Sequence, residues 1–165
     1  MPDLPDPGFA DDDGSPAPGL PEALAAYDAD PDSRHDAVLA VLQGTRLLVP
    51  VVAVLGEVEH DERGLAHDKT SDMATVLIEG RDGRTALLAF TSTAALRRWQ
   101  PDARPVPVSV SRAAQAALQD DASALVVDVA GPVMFVVDGD DLRELAQGHV
   151  LVEVSGRYGW ARPAR

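Results

Sequence analysis

Residues 73–99 read MATVLIEGRDGRTALLAFTSTAALRRW, and this stretch decides the fold. Two apolar runs of strand length, Ala74 to Glu79 and Arg84 to Phe90, flank Asp82-Gly83. Asp-Gly is among the strongest short-range signals for a two-residue hairpin turn. With Asp82 and Gly83 as the turn, Ile78 faces Leu87 and Leu77 faces Leu88, so both faces of the ribbon are apolar near its middle and both need cover. Directly afterwards Thr91 or Ser92 supplies the N-cap of a short helix with Leu96 and Trp99 on one face beside Phe90. Pro101 prevents that helix from continuing.

A chain of 165 residues is the length of one domain and buries roughly 70% of its unfolded surface. Hydrophobic residues make up 45% of it and aromatic residues only 4%, so the core is built from Ala, Val and Leu, which suits layered packing. The expected fold is α/β (α+β): a single layered domain with a mixed sheet of about five to seven strands, a central β-hairpin and three to four helices.

The net charge of −13 is unevenly spread. Nine of the 27 acidic side chains and none of the 14 basic ones fall in residues 1–33, which leaves the rest of the chain with a net charge of −4. An acidic surface repels phosphates, so no nucleic-acid partner and no anionic membrane is expected. The basic residues are thirteen Arg and one Lys, Lys69, a bias that reads as codon composition in a GC-rich genome. The absence of cysteine excludes disulfides, thiolate metal sites and Cys nucleophiles together. The first thirty residues lack a basic and then apolar leader, and the longest apolar run, Leu47 to Leu55, is too short to span a bilayer, so a cytoplasmic location is expected.

Taken in order, residues 1–32 are rich in Pro, Gly, Asp and Ala and read as a disordered acidic tail, with a short helical piece around Pro21 to Tyr27. The folded domain is expected over 33–154, opening on a helix capped by Ser33 and closed by Gly44. Arg46 to Leu55 is a strand that Pro50 places at an edge or a bulge. Val106 to Val110 is a short strand, and Ser111 caps a helix to Leu118. Ala124 to Val129 and Val133 to Val137 are neighbouring strands joined by Ala130-Gly131-Pro132. Asp138 caps a helix that carries Leu142, Leu145 and Ala146 on one face, Gly148 ends it, and Val150 to Val154 is the last strand. Residues 155–165 form a C-terminal tail in which Trp160 alone docks.

The polar stretch 56–72, GEVEHDERGLAHDKTSD, reads as a long loop and holds the densest set of metal-ligand types, with His60, His67 and Asp68 as weak candidates. A His spacing of seven matches no helical i, i+4 pair, and a solvated acidic loop explains the stretch. Arg97 and Arg98 suit the negative end of their helix, and with Trp99 they form a candidate partner surface. No phosphate-cradling Gly-rich loop with Lys, no G-x-S-x-G, no H-E-x-x-H and no G-x-G-x-x-G occurs, so no catalytic residue and no cofactor is assigned.

The segments ALLAFTSTAALRRW, residues 86–99, and ALVVDVAGPVMFVVDGDDLREL, residues 124–145, resemble the SseB N-terminal domain family, the bacterial "enhanced serine sensitivity" type common in actinobacteria. The resemblance spans roughly residues 35–150, and Phe90-Thr91-Ser92 followed by Leu96 and Trp99 carries most of it. Asp128-Val129 stands where many members have Asn-Pro. The resemblance implies a small α/β domain of undefined biochemical role. The expected function is a non-enzymatic regulatory or accessory module that binds a protein partner or itself. The alternative is a small-molecule or metal-dependent enzyme using the 56–72 loop.

Overall fold

The computed structural model describes residues 9–53 and 73–164. Its elements run α1 (Leu20–Ala29), α2 (Pro31–Leu42), β1 (Arg46–Ala53), β2 (Met73–Thr75), β3 (Leu77–Glu79) and β4 (Thr85–Ala89). They continue with α3 (Thr93–Trp99), β5 (Arg104–Ser109), α4 (Val110–Gln119), β6 (Ala124–Val127), β7 (Phe135–Asp138), α5 (Gly139–Ala146), β8 (Val150–Val154) and β9 (Arg157–Ala161). The fold is α+β, as composition predicts. Among the described residues the strands form three sheets rather than one, in the orders β2-β1-β5, β3-β4-β6-β7 and β8-β9. A bridge between Leu48 and Phe90 joins the first two.

Strand alternation sorts the core into two layers. Leu47, Val49, Leu87, Ala89, Leu125 and Val127 point to one side, where they meet Leu20 and Leu24 of α1, Val38, Leu39 and Leu42 of α2, and the Ala-rich face of α4. Leu48, Leu88, Phe90, Ala124 and Val126 point to the other, against Ala95 and Leu96 of α3. Parallel neighbours β4 and β6 are therefore buried on both faces, which is why their sequences are continuous apolar runs.

The central hairpin forms in a different register from that expected. Leu77 pairs with Leu87 and Ile78 with Ala86, so the loop is Arg81-Asp82-Gly83, three residues long. A two-residue type I′ turn needs positive φ at both central positions, and only Gly83 has it, at +80°. The chain instead makes a turn closed by the Gly83 N–H on the Gly80 carbonyl (3.0 Å), followed by a left-handed glycine, while the Asp82 carboxylate accepts from the Arg84 N–H (3.0 Å). Both faces of β4 are covered, but Leu77 on β3 is exposed.

Pro50 lies in the middle strand of its sheet, not at an edge or a bulge. Leu48 and Phe90 exchange backbone hydrogen bonds of 2.8 Å in both directions, so even-numbered residues of β1 aim their N–H groups away from β5. The missing N–H of Pro50 thus falls in the gap between Phe90 and β2, which joins only at Val51. Pro105 and Pro107, opposite Pro50 and Leu48, turn theirs to the open edge of β5, where they cost no ladder bond and block pairing with another strand.

The helix starts move slightly. Ser92 caps α3 by accepting from the Ala95 N–H (3.0 Å), as expected, whereas α4 is capped by Ser109, not Ser111, and α2 begins at Pro31, with Ser33 bonded to Asp30. The C-terminal stretch is not a tail. β9 pairs with β8 along its length, and Trp160 docks by donating its indole N–H to Asp141 (3.2 Å). β8 is fastened in turn by Gln43, whose side-chain amide makes both backbone bonds of Leu151 (2.7 and 2.8 Å).

Residues 20–32 also leave the expected tail. Leu20 and Leu24 are 1% and 6% exposed and belong to the same core as Leu39 and Leu125. Two leucines a helical turn apart are enough to dock α1, because α2 and the sheet supply the other wall. Leu24→Ala is therefore expected to cost about 2 to 5 kcal/mol in urea unfolding. A change under about 0.5 kcal/mol, as for a solvated tail, would contradict this packing.

Candidate functional site

Three polar residues are buried among the described ones: Thr91, Ser92 and Asp128. Ser92 is spent as the α3 cap. The other two form a pair where the parallel β4–β6 ladder ends at Ala89 and Val127. The Asp128 N–H still reaches the Ala89 carbonyl (3.0 Å), but its backbone turns left-handed at φ +56° and the ladder can go no further. Its side chain takes over. One carboxylate oxygen accepts from the Thr91 N–H (2.8 Å) and the other from the Thr91 hydroxyl (2.7 Å). Asp is one of the few non-Gly residues that tolerate this backbone region, because its short polar side chain bonds locally. Burial pushes the Asp128 carboxyl above its ordinary value of 3.8, against the opposing effect of the Thr91 hydrogen bonds.

This pair floors a cleft of about 360 Å³. Pro21, Leu24 and Ala25 of α1 form one wall, Ala94 and Ala95 of α3 the other, and Pro132 and Val133 of the β6–β7 turn close the end. Pro16 adds to the rim from the segment before α1, and Arg98 supplies the cation. The cleft is thus mostly apolar with one guanidinium. Its buried carboxylate and hydroxyl are hydrogen-bonded to each other.

The Arg97, Arg98 and Trp99 group is not one surface. Successive helical residues are splayed by about 100°. Arg98 lines the cleft and leans toward Gly131, Arg97 lines a hollow with Phe9, Thr93 and Pro107, and Trp99 is half-buried with its ring 5.7 Å from Phe90. Trp99 therefore belongs to the core layer beside Leu96, as expected. His60, His67 and Asp68 lie outside the described residues.

Sequence reasoning missed a second polar cluster. His35, on α2, meets Asp141, on α5 (Nε2 to Oδ2 3.2 Å), while its ring stacks on Phe135 at 4.9 Å. Asp36 is close enough that one ligand atom from each of the three residues falls within 4.8 Å of the others. Trp160 bonds the second oxygen of Asp141, so the cluster ties α2, α5 and β9 together. His35 and Asp141 are 106 residues apart, and no local spacing could have joined them. Asp128 had a legible signal that went unused: a lone carboxylate directly after the buried run ALVV.

The sequence profile of the SseB protein N-terminal domain matches residues 20–156. The chain belongs to that family. No curated protein and no solved structure gives a significant match. The cleft walls contributed by α1, α3 and the β6–β7 turn all fall inside the SseB domain, whereas Pro16 and the rest of residues 9–19 precede it. No helix among the described residues is long and apolar enough to cross a membrane.

The Asp128 clamp has a pH signature. A carboxyl whose folded pKa is raised favours the folded state most when protonated. The stability it confers is present below about pH 3.8 and is lost as pH rises through the elevated folded value. In the Asp128→Asn variant the side-chain amide can accept from the Thr91 N–H and donate to the Thr91 hydroxyl without a buried charge. The variant is expected to gain melting temperature on the wild type as pH rises from 3 to 7. Asp128→Ala, which strands the buried Thr91 N–H and leaves an alanine in the left-handed conformation of position 128, is expected to lose on the order of 3 kcal/mol. An Asn variant as damaging as the Ala variant at pH 7 would show that the negative charge itself is needed.

Proposed function

We propose that this SseB domain is a non-catalytic regulatory or accessory module that binds a protein partner through the α1–α3 cleft. The observation that carries the reading is the mutual engagement of Asp128 and Thr91. The hydroxyl is held by the carboxylate, both carboxylate oxygens are taken by one residue, and Ser92 is held by a helix N–H. The carboxylate and hydroxyls at the cleft floor are engaged in holding a strand end and a helix start. What the cleft offers a ligand is apolar wall and the Arg98 guanidinium, the composition of a pocket that receives an apolar anchor beside a carboxylate.

The test uses two exposed alanines that line the cleft, Ala25 and Ala94. A partner cross-linked and purified with the full chain from its native host is measured by titration against Ala94→Glu, Ala25→Glu and Arg98→Glu. Each variant is expected to weaken binding at least tenfold with a melting temperature within about 2 °C of the wild type. Unchanged affinity in all three would remove the cleft from the interface, and turnover of a small molecule abolished by Thr91→Val would replace the reading with an enzymatic one.

A further inference from the structure

The segment before α1 is acidic and lies outside any helix or strand, reading FADDDGSPAPG over residues 9–19, and it is seated on the domain although no residue in it is fully buried. Its anchor is Arg46, at the start of β1. The Arg46 guanidinium grips Asp12 through both carboxylate oxygens, by Nε and by Nη2 (2.9 Å), and also donates to the Ser15 carbonyl (2.6 Å). Its remaining nitrogen donates to the Thr91 carbonyl at the floor of the cleft (2.6 Å). The Arg46 side chain is only 10% exposed, so this is a shielded, two-pronged carboxylate contact and not a surface pair.

The backbone docks as well. The Thr93 N–H donates to the Gly14 carbonyl (2.9 Å), and Gly14 sits so close that an added Cβ would fall 2.2 Å from the Thr93 hydroxyl, at a φ of +82° that favours glycine. Elsewhere the fit is loose. The segment curls around a hollow of about 580 Å³ lined by its own residues and Arg46, and a second hollow of about 470 Å³ lies between Phe9 and Asp13 of the segment and Leu48 and Pro107 of the domain. A contact that is specific at two points and open beside them is easily exchanged. The arm also lies outside residues 20–156, the span that matches the family.

We propose that residues 9–19 are an intramolecular stand-in for the domain's partner, an autoinhibitory strap whose place is taken by an acidic, turn-containing peptide segment of a second protein that offers a carboxylate to Arg46. The proposal rests on the partner-binding reading and names the chemistry of the partner. The occupant is argued from what is seated there: a carboxylate on Arg46, a glycine on Thr93 and a proline at the cleft rim. In support, the Arg46 hydrogen bonds hold the Asp12 carboxyl below its ordinary value, the direction expected for an anion bound at a cation site. Tethering gives the arm an effective concentration in the millimolar range, which keeps free peptide out of the intact chain.

The experiment uses the 165-residue chain and a fluorescent peptide of sequence FADDDGSPAPG, read by anisotropy at low salt. Gly14→Ala releases the arm by steric clash and Asp12→Ala releases it by loss of the anion, so the two variants open the site by independent means. Both are expected to bind the peptide at least tenfold more tightly than the wild type, and FANNNGSPAPG is expected not to bind. Adding Arg46→Gln or Arg46→Lys to Gly14→Ala is expected to remove the gain; the lysine keeps the charge and serves where glutamine unfolds the chain. No gain in either arm variant, or a gain that survives loss of Arg46, or equal binding of the Asn peptide, would overturn the proposal. Success here with unaltered partner binding in the cleft variants would separate the strap from the cleft reading.

Discussion

The end of a parallel β-ladder is a problem in backbone accounting, and the way this chain solves it at Asp128 governs the surrounding structure. β4 and β6 run side by side through the core with both faces buried, so neither can leave the sheet with backbone groups facing apolar neighbours. A carboxylate in left-handed conformation satisfies the next N–H of the neighbouring strand and the hydroxyl beside it. β4 is then free to become α3, capped by Ser92, and β6 is free to turn back as β7. The cost is a buried carboxyl, offset by two short hydrogen bonds. An asparagine could make the same two bonds without the charge.

What could be read in the sequence was what depends on neighbours in the chain. The apolar runs of β4, β6 and β7, the α3 cap at Ser92 and the stops at Pro101 and Gly148 are all local, and each lies where residue type places it. The hairpin register differs from expectation by one residue, because Asp-Gly is compatible with either a two- or a three-residue loop. The deciding quantity, a positive φ at one position rather than two, is not written in residue identity alone. The docking of α1 is a different case. A helical piece around Pro21 to Tyr27 is legible in the sequence, but ten residues are too short to hold a helix alone, and this one is fixed because α2 and the sheet offer a wall that composition cannot reveal. β9 escapes sequence reasoning for the same reason, since RYGWA becomes a strand only beside β8.

The prolines show how a residue that looks disqualifying can be accommodated by parity. Three prolines in two adjacent strands argue against a sheet, yet all three aim their nitrogens where no donor is required. Two guard the open edge of β5, and the third stands where one partner of β1 stops and the next has not begun. The candidate site was less legible than the strands because each of its working contacts spans long separations: 37 residues between Thr91 and Asp128, and 34 between Arg46 and Asp12.

Thr91 connects these two contacts. Its N–H and hydroxyl go to Asp128 and its carbonyl goes to Arg46, so every polar group it owns is committed, one side to the cleft floor and the other to the arginine that holds the arm. A change at Asp12 is therefore two hydrogen-bonded residues away from the cleft, through a guanidinium whose planar fork cannot rotate one prong without moving the others. That geometry makes the arm more than an appendage. By holding the Arg46 guanidinium, the Asp12 carboxylate also helps to position the Thr91 carbonyl, and with it the wall where α3 begins.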